Sequence, residues 1–417
     1  LFVFFVSGLF LLILAYFLSH EKYFFLFIPL IASFFILSIF NFKYLFYTVI
    51  FLTPLSMSLS DLGVFILETE MAFPTEPLLF GLMILTMFKM SSHFTLFKST
   101  FTHPITMCIL LYLLWMFVTC VTSSMPFVSF KLFLSRLWYI IPIFFMGCLF
   151  FKNKNNISYF VLLYTIPLVC VVLYTSIRHS GYAFDKESAH YMMSPFFNDH
   201  TSYGAIIAFF LPLVTASFLI QKENVFLRFF FLGAVVILLI GLILSFTRAA
   251  WISIFISVII AIILRFKINR VLLFITPIIL LFFLFLFQNP ILKSLEGNRQ
   301  DSSDNLIEHV TSISNISTDA SNMERINRWK CALKMFVDKP VFGWGPGTYQ
   351  FQYARFQLSK DRTIISSNSG DMGNAHSEYL GPLCESGFFG FLTFFILVCI
   401  TLIRAVNMYY ASNEKIV

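Results

Sequence analysis

The chain has 417 residues, 59% of them hydrophobic and only 12% charged, with 57 phenylalanines and a formal net charge of +7. Soluble domains carry near a quarter charged residues, so this composition excludes an ordinary soluble enzyme and indicates an integral membrane protein. The positive balance does not mark a nucleic-acid binder: most basic residues sit in short connections between apolar runs, where they orient a membrane protein.

Taken in chain order, the apolar runs match the roughly 20 residues needed to cross a bilayer as a helix. Twelve spans are predicted, at 2–19, 23–40, 43–60, 75–91, 103–122, 127–150, 157–176, 201–221, 226–246, 249–265, 270–287 and 379–403. The first run, Phe2 to Leu18, has no basic segment before it and no small-residue cleavage site, so it reads as a span rather than a signal peptide. The fold class expected is an all-α polytopic membrane protein of about 12 helices. Residues 1–287 form a bundle of about 11 spans, 288–378 one large loop with an amphipathic helix at 325–338, and 379–417 the last span and a tail. No internal repeat and no inverted pair of broken helices is apparent.

With the N-terminus inside, the inner connections carry Lys43, Lys89, Lys98, Lys152, Lys154, Lys222, Arg228, Arg265, Lys267, Arg270, Arg404 and Lys415. The short outer loops hold only Lys22, Arg178, Lys186 and Arg248, and the 61–76 loop is acidic. This bias predicts cytoplasmic termini and an outward-facing 288–378 loop. The seven cysteines are dispersed without a CxxC pair, which argues against a disulfide framework or zinc site and for small-hydrophobe roles, Cys331 and Cys384 included.

The large loop has two halves. Residues 297–324 are polar and weakly ordered by composition. In the second half Ile326, Trp329, Leu333, Phe336 and Val337 recur at helical spacing, with Arg325, Arg328, Lys330 and Lys334 between them. A basic amphipathic helix with a Trp near its start is expected to lie on a membrane surface, apolar face down. A glycine-rich turn, Phe342-Gly-Trp-Gly-Pro-Gly347, follows it.

Four polar features fall at the predicted outer face. Arg248, in SFTRAAW, sits where two long apolar runs meet with almost no loop; it either faces a polar cavity or anchors at the headgroups. Arg325 heads the amphipathic helix one turn before Trp329, as a ligand or as a solvated surface arginine. Lys131 and Arg136 lie within one span, five residues apart. His376, followed by Ser377 and Glu378, stands at a loop-to-span junction in NAHSEYLGPLCESGFFGF, where free helical N–H groups can hold an anion. Its ordinary pKa near 6.5 suits proton transfer at neutral pH. Arginine binds phosphate oxygens bidentately and stays charged, so arginines with a histidine at one level suggest a diphosphate substrate at the membrane surface. With no acidic cluster of metal-ligand spacing outside, the arginines are expected to replace a metal in stabilising a departing diphosphate.

These residues resemble the O-antigen ligase and O-antigen polymerase superfamily of bacterial membrane glycosyltransferases. Its signature is a His followed by Asn, Ser or Gln, nine residues, then Gly-x-x-Gly; His376-Ser377 and Gly387-Phe-Phe-Gly390 fit it. SFTRAAW is similar to the family's Ser-x-(Ser/Thr)-Arg-x-x-Trp segment, placing Arg248 at its first key arginine. The segment from Arg325 through Trp329 to the 342–347 turn is similar to the stretch carrying the second. Tyr203 and the FNDHTSYG turn are similar to a further family segment too loosely to carry roles.

The resemblance implies a GT-C-like, metal-independent, inverting enzyme of the bacterial inner membrane, without cofactors, working at the periplasmic face. Its donor is a glycan linked to undecaprenyl diphosphate. Its acceptor is lipid A-core for a ligase, favoured slightly here, or another lipid-linked repeat for a polymerase; protein O-oligosaccharyltransferases share the signature. Arg248 and Arg325 then bind diphosphate and His376 activates the acceptor hydroxyl. Arg136, Lys131, Arg328, Ser377 and Glu378 support them, and Trp329, Gly387 and Gly390 are structural. A lipid-linked-sugar flippase or transporter is the reading from another class. It requires charges near the bilayer midplane, whereas these cluster at one face.

Overall fold

The computed structural model describes residues 42–59, 71–267, 271, 320–359, 366 and 373–411. The predicted spans 2–19 and 23–40, all but Val271 of 270–287, and residues 297–319 of the polar half-loop lie outside them. Among the described residues seven helices are long and apolar enough to cross a membrane, so the protein is mostly helical and polytopic.

Two compact units are present, Leu1–Phe94 with Ile141–Leu168, and Thr95–Ile140 with Val169–Val417. In the first, α1 (Phe42–Leu52) gives way to a 3-10 turn at Thr53–Leu55. The predicted span 43–60 is therefore shorter than expected, because Pro54 has no N–H to continue the helix. A two-stranded antiparallel ribbon, β1 (Met57–Ser58) with β2 (Ala72–Phe73), leads to α2 (Thr75–Ser92). The ring of Phe46 packs 4.7 Å from that of Phe150.

The second unit holds the residues of interest. It contains α3 (Pro104–Val121) and α4 (Pro126–Ile140), whose helical course continues beyond this unit to Phe150 through a π-helical stretch at Ile141–Met146. Pro142 lies in that stretch, where a missing N–H relaxes the α ladder. Then come α5 (Asn155–Ser180), shared between the units, α6 (Lys186–Met192), α7 (His200–Ile220), α8 (Val225–Leu244) and α9 (Arg248–Arg265). The chain resumes with α10 (Ala320–Asp338), α11 (Tyr349–Gln352) and α12 (Leu380–Ala411). Polar side chains cap these helices where the sequence supplies them. Asp185 accepts from the N–H of Ser188, Asp199 from Ser202 and Asn224 from Leu227.

Small residues let α7 and α8 pack closely. A Cβ on Gly204 would meet Thr247 at 2.9 Å, and one on Gly241 would meet Val172 at 2.6 Å and the Tyr203 hydroxyl at 2.9 Å. The buried Tyr203 hydroxyl bonds Thr175 Oγ1 at 3.0 Å, which fixes α7 against α5.

α12 differs most from expectation. Residues 379–403 are predicted as one straight span, but Gly387 has φ 70° and ψ −171° and breaks the helix into two arms. The ring of Tyr379, just before the first arm, lies 5.9 Å from Phe394 and 6.5 Å from Phe395 in the second. A straight helix separates residues 379 and 394 by about 22 Å, beyond the reach of two side chains, so the arms form a hairpin. Gly387 supplies the left-handed backbone, and Gly390 makes room, since a Cβ there would lie 2.3 Å from Ser386 Cβ.

The reversal leaves three carbonyls of the first arm for other donors. Cys384 O accepts from Trp344 N–H at 3.0 Å and Glu385 O from Gly345 N–H at 2.8 Å. Ser386 O accepts from Trp115 Nε1 at 2.8 Å. In return Phe388 N–H donates to Pro340 O at 2.9 Å. The glycine-rich turn at 342–347 is thus stitched to the hairpin tip, with Gly343 (φ 69°) and Gly345 (φ 111°) in conformations that other residues avoid.

Candidate active site

The SFTRAAW segment makes a tight, self-laced turn between α8 and α9. Ser245 Oγ donates to Leu242 O at 2.7 Å and accepts from Thr247 N–H at 3.3 Å. Thr247 Oγ1 reaches His200 O at 2.9 Å, and Trp251 Nε1 reaches Leu242 O at 2.9 Å. Ser, Thr and Trp therefore hold the turn, and Arg248 projects from the first position of α9, half-buried. The charge of Arg325, on α10, acts on it.

α10 starts at Ala320, five residues earlier than expected, so Arg325 stands in its second turn rather than at its head. Its exposed side carries Trp329, Leu333 and Val337, as the apolar stripe predicts. The opposite side packs on the protein: Glu324, Asn327, Arg328, Cys331, Ala332 and Met335 are buried. Cys331, Ala332 and Met335 join Trp344, Tyr349, Tyr353, Ala375 and Cys384 in one core, where small or adaptable side chains let α10 approach the turn and the first arm of α12. Trp344 Nε1 donates to Met335 O at 3.0 Å and the Tyr349 hydroxyl to Arg328 O at 2.9 Å.

Arg328 is not a solvent-facing cation. Its Nε donates to Glu324 Oε1 at 2.8 Å, its Nη1 donates to Asn374 O at 3.1 Å, and its guanidinium carbon lies 5.1 Å from the centre of the Tyr353 ring.

His376 follows at once. Its backbone has φ 47°, a left-handed conformation costing a non-glycine residue about 1–3 kcal/mol, and its N–H donates to Asn374 Oδ1 at 2.9 Å. Ser377 is the N-cap: its Oγ accepts from Tyr379 N–H at 3.3 Å and Leu380 N–H at 3.2 Å. Two of the N–H groups expected to be free for an anion are thus already used, which corrects that expectation. Ser377 of the His-Ser pair is thus a helix cap, and the nine residues that follow it, 378–386, are Glu378, Tyr379 and the first arm of the hairpin. The His376 ring is exposed in part. Burial of the remainder lowers its pKa, the charges of Arg328 and Arg325 lower it further, and Glu324 opposes them.

The structure therefore brings Arg248, Arg325, Arg328 and His376 together, with Glu324 as the carboxylate among them. Arg136 belongs elsewhere. It lies on the same face of α4 as Val128 and Leu132, which sit against Gly347, and the charges of Arg136, Glu378 and Glu385 all act on the Tyr112 hydroxyl. Lys131 is exposed, and among the described residues it joins neither group. Glu385 caps the turn region, accepting from Tyr349 N–H at 3.0 Å.

Sequence reasoning missed Glu324, Gly373, Asn374 and Trp115. Only the first had a signal, a Glu four residues before Arg328 on one helix face. Among the described residues no three His, Cys, Asp or Glu side chains group as a metal site.

A polytopic helical membrane protein that gathers arginines and a histidine on a loop-and-hairpin insertion is the class these features define. Residues 233–395 match the family described as O-antigen ligase. The match runs from within α8 past Gly390 and includes Arg248, Arg325 and His376. It implies glycosyltransferase-like activity of the ligase or polymerase type on a lipid-linked glycan. No curated protein matches the chain, and no solved structure does.

Proposed function

We propose that the protein transfers a glycan from undecaprenyl diphosphate to a sugar hydroxyl at the periplasmic face of the bacterial inner membrane. The acceptor is lipid A-core, making it an O-antigen ligase. The observation that carries this reading is the convergence of Arg248, Arg325 and His376, from three separated segments, within the family-matched region.

Two guanidinium groups that repel each other are stabilised by a dianion between them, and that interaction strengthens as the diphosphate leaves. His376, its pKa lowered, is a neutral imidazole at neutral pH and can accept the acceptor hydroxyl's proton. The arginines carry the charge a metal would otherwise offset, and attack opposite the leaving diphosphate inverts the anomeric centre. The basic residues of the connections support twelve spans with both termini cytoplasmic, and the exposed Trp329, Leu333 and Val337 support contact of α10 with membrane lipid.

The second reading is a polymerase joining lipid-linked repeats, because the family covers both acceptors. Glycan profiling of a deletion strain separates them. Free lipid-linked polymer with unmodified core is the ligase result, and core bearing single repeats is the polymerase result. Normal glycan on the core would overturn both.

A further inference from the structure

We propose that Glu324 and Arg328 form a clamp that positions the His376 loop, and that Arg328 is a positioning residue rather than a ligand of the diphosphate. The proposal rests on His376 being the base of the reaction proposed above.

The guanidinium of Arg328 is held on two edges and one face. Nε meets Glu324 at 2.8 Å, Nη1 meets Asn374 O at 3.1 Å, and one face lies over Tyr353. The other partners close in: a Cβ on Gly373 would lie 1.9 Å from Nη1 and 2.5 Å from the guanidinium carbon, so only glycine admits this approach. Arg328 is 8% exposed and Glu324 4%, which leaves no open edge for a bidentate phosphate contact.

Asn374 then passes the constraint on. Its carbonyl is held by Arg328 while its side chain accepts from His376 N–H at 2.9 Å. One residue thus links the clamp to the left-handed backbone of His376. Glu324 also reaches the 366 position, hydrogen bonding the Ser366 hydroxyl through its other oxygen. The ion pair so ties Ser366 and Asn374 to a single helical turn of α10. It also offsets the charge of Arg328.

Purified full-length protein in detergent tests this. Hydrogen exchange of the 374–380 amides is followed in the unsubstituted chain, Glu324→Gln, Arg328→Gln, Arg328→Lys and Arg325→Gln, and inorganic pyrophosphate binding is measured by calorimetry. The clamp variants are expected to raise exchange by about tenfold while leaving pyrophosphate affinity within about twofold. Arg328→Lys does not rescue, since one ammonium cannot serve both partners in the fork geometry. Ring-labelled histidine spectra add a signature that general loosening would not give. Among the described residues the charges acting on His376 are those of Arg325, Arg328 and Glu324, so Arg328→Gln raises its pKa and Glu324→Gln lowers it. Unchanged exchange overturns the clamp, as does loss of pyrophosphate binding in Arg328→Lys comparable to that in Arg325→Gln. If His376→Ala retains transfer while the clamp results stand, the catalytic reading fails and the clamp remains as architecture.

Discussion

The Tyr379 ring packs 5.9 Å from the Phe394 ring, although they lie fifteen positions apart within what hydropathy presents as one apolar span. The first arm, Leu380 to Ser386, is about 10 Å long at 1.5 Å per residue, so the hairpin carries His376 back alongside the second arm by about that distance. The residue is thereby aimed at α10 and Arg325 instead of standing at the head of a straight helix.

Gly387→Ala is expected to open this hairpin. The new methyl would lie 2.0 Å from Val341 O at a φ of 70°, and neither backbone can yield easily. A loss of about 2–4 kcal/mol in stability is expected, seen as a lower unfolding midpoint in detergent, with transfer lost as well. Unchanged stability would mean the hairpin is not the native form.

Trp115→Phe removes the indole that satisfies Ser386 O at 2.8 Å while keeping most of the stacking on Phe342. The expected cost is about 1–3 kcal/mol, the price of an unmet carbonyl. Thermal unfolding of the two proteins measures it.

His376→Ala is expected to lower transfer by about 10²–10⁴-fold through loss of the base. Ser377→Ala is milder, about 1 kcal/mol of lost capping at the start of α12. Both proteins should still insert and accumulate. Full transfer by His376→Ala would remove it from the chemistry.

The pH profile follows from the neutral imidazole. Burial, Arg328 and Arg325 together hold the His376 pKa below its ordinary value, so the acid limb of transfer should fall below about pH 6.5. Arg325→Gln removes one of the lowering charges and should move that limb upward. The linked stability has a definite sign. The unfolded chain binds this proton more tightly than the folded one, so acidification below about pH 6.5 costs stability. An acid limb above that value would contradict the assignment.

Arg248→Lys and Arg325→Lys keep the charge and lose the planar fork. Each is expected to weaken binding of the lipid-linked donor by about 1–3 kcal/mol, read as a higher donor KM with a smaller change at the acceptor. Equal effects on both substrates would argue that the arginines do not face the diphosphate.

The sequence alone determined the membrane class, because apolar runs of bilayer length are a one-dimensional property. It also located Arg248, Arg325 and His376, whose motifs include their own local supports: Ser245, Thr247 and Trp251 lace one turn, and Ser377 caps one helix. What only the tertiary structure decided depends on which surfaces meet. Hydropathy cannot distinguish a straight span from a folded-back one, since both arms of α12 are apolar and the reversal rests on a single residue's φ. The burial of Arg328 was equally hidden. The apolar stripe of α10 says only which side is left to face lipid; the other side, with its charges, reads as solvated, yet it is the face that packs, through an ion pair and small side chains. A buried arginine is tolerable only when its charge is met, and the groups that meet it, Glu324 and the Asn374 carbonyl, converge only when the loop folds onto the helix, with Gly373 leaving the room.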